Sequence, residues 1–298
     1  MADIAEQDLQ ATIHAWDQAA WSLAALALTA QGDGPPELTA AARELLAAAG
    51  LIAAPGTPLP GLGTATPGQI ASQAAAALHQ ASALASGRGY EWGTQSDVAL
   101  LAQGHASAQG AMPMARFMLP MMGDLAGRLA APGARMLDVG TGVGAAAVAS
   151  AQQFPQMQVL GIDILDRALD LARQAIAAAG VDDRVTVRKQ DVADFADDDG
   201  FDLAWLPAPY IAGPALGSGL PRVVAALRPG GWLIVGHAKS GGTPVQDALT
   251  RLKTLANGGT PIDDAGASQL LRQAGLTSVR PIPTPPGAAA ITIGQKPT

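Results

Sequence analysis

The stretch MLDVGTGVGAAAV, Met136 to Val148, reads as a buried strand, a glycine turn and the start of a helix of small residues. Gly140, Gly142 and Gly144 let backbone approach a ligand closely, because a Cβ at any of them would intrude. Asp138, two residues before the first glycine, sets a carboxylate at the strand end. An acid there suits a ligand with a cationic end and repels phosphates. A dinucleotide fingerprint still fits the spacing through Gly140, Gly142 and Ala145. The turn alone therefore leaves two ligand classes open.

Working outward, VLGIDI (Val159 to Ile164) is a second apolar strand that ends in Asp163. An acid at that place accepts hydrogen bonds from both ribose hydroxyls in either ligand class. Asp166 is placed to N-cap a helix whose core stripe is Leu165, Leu169, Ala172 and Ile176, with Gly180 as its stop. RVTVRKQD (Arg184 to Asp191) gives a third strand, followed by Val192. FDLAWLPAPYI (Phe201 to Ile211) gives a fourth strand and the loop after it, with Trp205 packing under the sheet. LPRVVAALRPGGWLIVG (Leu220 to Gly236) is a helix, a tight turn at Arg228-Pro229-Gly230-Gly231 and a fifth strand. A last helix, Asp264 to Gly275, precedes TSVRPI (Thr277 to Ile282) and AAITIGQK (Ala289 to Lys296).

LDVGTGVG resembles motif I of class I S-adenosylmethionine-dependent methyltransferases, and the elements after it resemble the rest of that domain over roughly the C-terminal half. The resemblance implies an α/β fold, a Rossmann-like seven-stranded sheet whose final strand is antiparallel, with an N-terminal mostly α-helical domain. The expected division is residues 1–110 and 111–298. It also implies S-adenosyl-L-methionine as cofactor. In the family the motif I acid lies beside the methionine end and the glycines make room for the rest, roles that fall on Asp138, Gly140, Thr141, Gly142 and Gly144. The resemblance gives the ribose to Asp163 with Ile164 beside it, the adenine amino group to Asp191 and the ring face to Val192. Leu206, on the fourth strand, joins the cofactor set. Five matches in order set this reading above an NAD(P)-dependent oxidoreductase.

Composition sets outer limits. At 298 residues the chain can bury a full core and carry two domains. A formal net charge of −7 and a pI near 4.9 disfavour nucleic acid and anionic membranes as partners. With no cysteine, disulfides and thiol catalysis are excluded. Met1 to Gln10 lacks the basic run of a signal peptide, and the apolar run Ala19 to Ala30 is too short to span a bilayer, so a cytoplasmic protein is expected. His14, His79, His105 and His237 are dispersed, and Asp197 to Gly200 reads as a solvated turn, so no metal site is expected.

The N-terminal part shows helical patterns at Ile4 to Ala30, Leu38 to Ala49, Ile70 to Ser86 and Met112 to Ala130. Ala40 to Ile52 is similar to the recognition-type helix of winged-helix domains fused to many small-molecule O-methyltransferases. That resemblance implies a homodimer and a cover over the active site. YEWGTQSDVALLAQGHASAQGAM (Tyr90 to Met112), with Tyr90, Trp92, Gln103 and His105, reads as a glycine-rich connector. By resemblance such linkers lie over the cofactor, which makes Gln103 a contact to the methionine carboxylate; a plain surface connector is the alternative. Met114, Met118 and Met121 share one helical face with Phe117 nearby, a core stripe or an adaptable wall for a flat substrate. Pro120 stops that helix or kinks it.

In-line displacement at an activated methyl asks the protein mainly to align three atoms and exclude water. A base is needed only where the nucleophile must lose a proton. His237, after the fifth strand, and Tyr210, in the loop after the fourth, are the catalytic candidates. The substrate expected is a small apolar or aromatic metabolite, methylated on oxygen ahead of nitrogen or carbon. A non-catalytic protein that keeps the cofactor fold is the remaining alternative.

Overall fold

The computed structural model describes residues 6–59, 67–87, 92–197, 200–239, 242–284 and 289–298, with the side chains of 6–8, 69, 106 and 109–117 left aside. Tyr90, Asp198, Asp199 and the side chains of Met112, Met114, Arg116 and Phe117 lie outside the described residues. The chain divides into two compact units, Met1–Ser82 and Ala83–Thr298.

In the first unit α1 (Glu6–Gln31), α2 (Pro36–Ala48) and most of α3 (Pro67–Ala85) are helical, and none of its described residues lies in a strand. Its core is small: Ala25, Ala42, Leu46 and Ile52 form one cluster, and Ala30, Ile70 and Ala71 another. Pro36 opens α2, where its fixed φ and missing N–H cost nothing. Leu9, Ile13, Trp16 and Trp21 on α1 are exposed.

The second unit runs α4 (Asp97–Met118), α5 (Leu125–Ala130), β1 (Arg135–Val139), α6 (Ala145–Gln153), β2 (Gln158–Asp163), α7 (Asp166–Ala178), β3 (Val185–Lys189), β4 (Phe201–Pro207), α8 (Gly213–Ala226), β5 (Leu227–His237), α9 (Pro244–Ala256), α10 (Asp264–Gln273), β6 (Thr277–Ile282) and β7 (Ala290–Gln295). The sheet order is β3-β2-β1-β4-β5-β7-β6. Five strands are parallel, and β7 runs antiparallel between β5 and β6. The connector expected from Tyr90 to Met112 is instead largely α4, and the division expected after residue 110 falls inside that helix.

Successive side chains on a strand face opposite ways, and the apolar residues sort accordingly. Met136, Val159, Leu203, Trp232 and Ile234 join Leu129 of α5, Ala147 of α6 and Ile176 of α7 in one cluster. Leu137, Val139, Ile162, Ala204, Leu206, Leu233 and Val235 join Leu220 and Val223 of α8 and Leu271 of α10 on the other face. The Pro-Gly-Gly turn sits as a bulge within β5: Phe201 pairs with Leu227, and the next pair, Leu203 with Trp232, follows after a register shift. Asp166 is not the cap of α7; Leu165 holds that place, and Asp166, on the first turn, pairs with Lys189 at 2.6 Å.

Candidate active site

The sheet reverses its order of connection between β1 and β4, the switch point beyond which ligands gather in open α/β sheets. Gly140, Gly142 and Gly144 turn the chain there with φ of 65°, 55° and 74°, left-handed values that favour glycine. A Cβ on Gly144 would lie 3.1 Å from that of Ala172 on α7, while one on Gly142 would meet open space. Gly142 is the residue with room for a ligand.

Strand parity puts Asp138 and Asp163 on the same side. Asp138 shares its face with Met136, and Asp163 shares its face with Val159. Asp138 pairs across the sheet with Gly161, whose missing side chain leaves space for Thr141: a Cβ there would be 2.7 Å from Thr141 Oγ1. Thr141 in that space donates its hydroxyl to Asp138 at 2.7 Å. Burial pushes the Asp138 carboxyl up to about 7, the Thr141 bond pulls it back and Asp163 adds repulsion. Asp138 is 1% exposed, and no cationic side chain pairs with it among the described residues.

Asp163 accepts from the Gly142 N–H at 2.8 Å and from the Leu165 N–H at 3.0 Å, which ties β2 to the glycine turn. Burial raises its pKa against these backbone bonds, Leu165 and Gly142 foremost. Ile164 beside it is 57% exposed, an apolar surface next to an acid. Asp191 accepts from the Ala193 N–H at 2.8 Å and caps the short turn Val192–Asp194.

Two expected cofactor contacts turn away. Leu206 is fully buried in the core under α8, because its parity matches Ala204. Pro207, the next residue, is the one that lies against Gly140, 3.6 Å from where a Cβ would stand. Val192 is also buried, packed against Gly219 of α8. Ile164 is the exposed apolar side chain of the set.

His237 ends β5 with the parity of Leu233 and Val235, on the α8 and α10 face, opposite to Asp138 and Asp163. It is 1% exposed; its Nε2 lies 2.9 Å from Thr292 Oγ1 and its Nδ1 3.1 Å from the Ala238 carbonyl. A neutral ring that donates from Nδ1 and accepts at Nε2 satisfies both contacts. Burial lowers its pKa, with Ala238, Asp264 and Asp263 opposing. Both nitrogens are committed, so the structure does not present His237 as a base.

Tyr210 closes a 3-10 turn, Ala208–Tyr210, directly after β4. Its hydroxyl accepts from Gln103 Nε2 at 3.0 Å, and its ring meets that of Trp92 edge-on at 5.7 Å. Gln103 Nε2 also reaches Ser107 Oγ at 3.2 Å. Trp92 Nε1 donates to the Asn257 carbonyl at 3.3 Å, beyond the end of α9. Gly104, next to Gln103, packs so closely that a Cβ would lie 2.1 Å from Val143 Cγ2 in the glycine turn. Gly104 lies in the stretch expected as a glycine-rich connector; a glycine inside a helix-forming run is a sign of close approach.

The residues fit S-adenosylmethionine. Asp138 is a buried carboxylate without a cationic partner among the described residues, which a ligand ammonium would supply, and Asp163 and Ile164 offer an acid and an apolar face side by side.

Residues 136–231 match the family model described as a methyltransferase domain. The second unit carries a class I methyltransferase domain. Over 115 residues the chain is 37% identical to a release factor glutamine methyltransferase of Rhodopirellula baltica, which covers 38% of each chain. The chain thus spans well under two thirds of that relative's length. The methyltransferase fold extends further: human N-acetylserotonin methyltransferase, solved with S-adenosylmethionine, superposes with a TM-score of 0.64 over 100% of both chains at 18% identity. The mitomycin 7-O-methyltransferase MmcR superposes with a TM-score of 0.66 over 99% of this chain and 100% of its own, at 18% identity. Identity that low speaks for the fold alone.

Proposed function

We propose that the protein transfers the methyl group of S-adenosylmethionine to a small acceptor, aromatic or apolar, on oxygen ahead of nitrogen or carbon. The observation that carries this is the placing of Asp138 and Asp163 on one sheet face at adjacent strand tips, around a glycine turn with open space at Gly142. Asp138 holds the cationic methionine end, Asp163 the ribose and Asp191 the adenine edge, with Ile164 against the ring. When bound, S-adenosylmethionine supplies a methyl group already activated on a sulfonium. The chain's share is alignment and the exclusion of water.

Protein and tRNA methyltransferases are among the partial sequence matches, for example a tRNA1(Val) (adenine(37)-N6)-methyltransferase of Vibrio campbellii that is 34% identical over 79 residues. Fold likeness along the whole chain to a small-molecule enzyme, and a net charge of −7, favour a small molecule over tRNA. The exposed apolar side chains of α1 support a role for the first unit in homodimerisation. Transfer of labelled methyl to a panel of phenols and hydroxyquinones, run beside bulk tRNA and release factor, tests the reading. Label in the small molecules alone is expected; label in tRNA or protein alone overturns the acceptor assignment.

A further inference from the structure

Helix α9 is built inside out. Asp247, Thr250 and Thr254 of the helix and Asn257 at its end recur every three or four residues and share the inward face: Thr254 and Asn257 are buried, Asp247 and Thr250 half-buried. Asp247 accepts from the Gly242 N–H at 3.2 Å, and Thr254 donates to the Thr250 carbonyl at 3.0 Å. Val245, Leu249 and Leu252, at i, i+4 and i+7, lie on the opposite side with Leu255 a turn on, and all four are exposed, Val245 to 76%. A surface helix ordinarily turns such a stripe to the core. The capping box at Thr243 and the proline that follows it give α9 its own start, so the outward leucines are not what forms the helix. An exposed apolar stripe on a well-formed helix marks a contact surface.

Helix α1 carries a stripe of the same spacing. Leu9, Ile13 and Trp16 stand at i, i+4 and i+7, and from residue 9 to residue 21 every residue except Thr12 is exposed. That stretch is about 20 Å of helix, and the 13 residues of α9 make the same length. Charge decides which stripe meets which. By sequence α1 holds Glu6, Asp8 and Asp17 and neither lysine nor arginine. The outer sides of α9 hold Arg251 and Lys253, both exposed and in no ion pair among the described residues. Packing α1 on α1 sets acids against acids, and α9 on α9 sets cations against cations; α1 on α9 joins opposite charges.

We propose that α9 is the docking surface for α1 of a second copy of the chain, with two such contacts closing a two-fold dimer. The proposal deepens the dimer role given to the first unit above and rests on it; it does not depend on the methyl acceptor. One pair of helices about 20 Å long is small beside the roughly 800 Å² per partner of a stable interface. The reciprocal arrangement doubles it, since each copy then contributes both faces.

The chain has no cysteine, so introduced thiols report only the contact in which they are placed. Ile13→Cys and Leu249→Cys are made in separate chains, mixed until subunits have exchanged, and treated with a short bismaleimide. A covalent species of twice 29.9 kDa is expected in the mixture and in neither variant alone. Up to about half of the chains should be linked, the share held by mixed dimers at equilibrium. Leu252→Glu sets a further acid against the acidic α1, and is expected to weaken the dimer at least about tenfold in sedimentation while S-adenosylhomocysteine binds as before. A dimer that Leu252→Glu leaves intact, that shows no linkage in the mixture, or that links in either variant alone overturns the α1–α9 pairing and leaves the dimer role standing. A parent chain that sediments as a monomer overturns both; linkage within a single chain carrying both substitutions would then make its own α1 the occupant of α9.

Discussion

Replacing Asp138 with asparagine separates what this side chain does for binding from what it costs the fold. The amide keeps the size and still accepts the Thr141 hydroxyl, so the change removes charge and little else. In the folded chain the carboxyl is moved from the ordinary 3.8 to about 7, chiefly by burial. The unfolded chain ionises near about 3.9, so ionised Asp138 weakens the fold by about 4 kcal/mol at about pH 8 and by under about 1 kcal/mol at about pH 4. The sign follows from a raised folded pKa: stability is present in acid and lost as pH climbs through about 7. Ligand-free Asp138→Asn is therefore expected to melt several degrees above the parent protein at about pH 8, with the two converging near about pH 4. Binding moves the other way. Parent affinity for S-adenosylhomocysteine should rise about tenfold per pH unit up to about pH 7 and then level, as the carboxylate forms to meet the ligand ammonium. The variant should bind weakly and without that slope. Scanning calorimetry and titration calorimetry across this range check both halves. A variant that melts below the parent at about pH 8, or that keeps the parent's affinity and slope, refutes the buried-carboxylate argument.

Asp163→Ala is expected to weaken S-adenosylhomocysteine by about 1–3 kcal/mol through lost charged hydrogen bonds, measured by titration calorimetry. Gly104→Ala puts a methyl 2.1 Å from Val143 Cγ2, so it should destabilise the second unit by about 1–3 kcal/mol and displace the glycine turn, seen as a lower melting point with weaker cofactor binding. His237→Gln should leave the pH profile of kcat unchanged. With a lowered folded pKa, His237 loses stability as pH falls through about 6.5, and the variant should lack that loss in acid melting curves.

Much of the fold was legible because each strand carries its own pattern. The apolar runs at Met136, Val159 and Trp232, each closed by glycine or an acid, gave the sheet its strands, and the Pro-Gly-Gly step marked the bulge in β5. Asp138, Asp163 and the three glycines were legible for the same reason: they stand at strand ends, where position along the chain already fixes position in space. What failed was parity and approach. Leu206 and His237 lie near the right strand ends, but each falls on the α8 and α10 face, a distinction that counting by twos from Ala204 and Val235 would have made. Gly104 sits in the stretch read as a connector, yet it serves contact, since only the packed helix brings Val143 against it. The Gln103–Tyr210–Trp92 contacts join residues over a hundred positions apart, and no local pattern encodes such a meeting.

The most direct test of the account is calorimetric titration of the whole chain at about pH 8, above the Asp138 pKa, with S-adenosylhomocysteine and, separately, with NADH. Micromolar binding of the first and no heat from the second is the predicted result. Binding of NADH with S-adenosylhomocysteine silent would mean that the acids at these strand tips serve a nicotinamide cofactor, and the account would be wrong at its base.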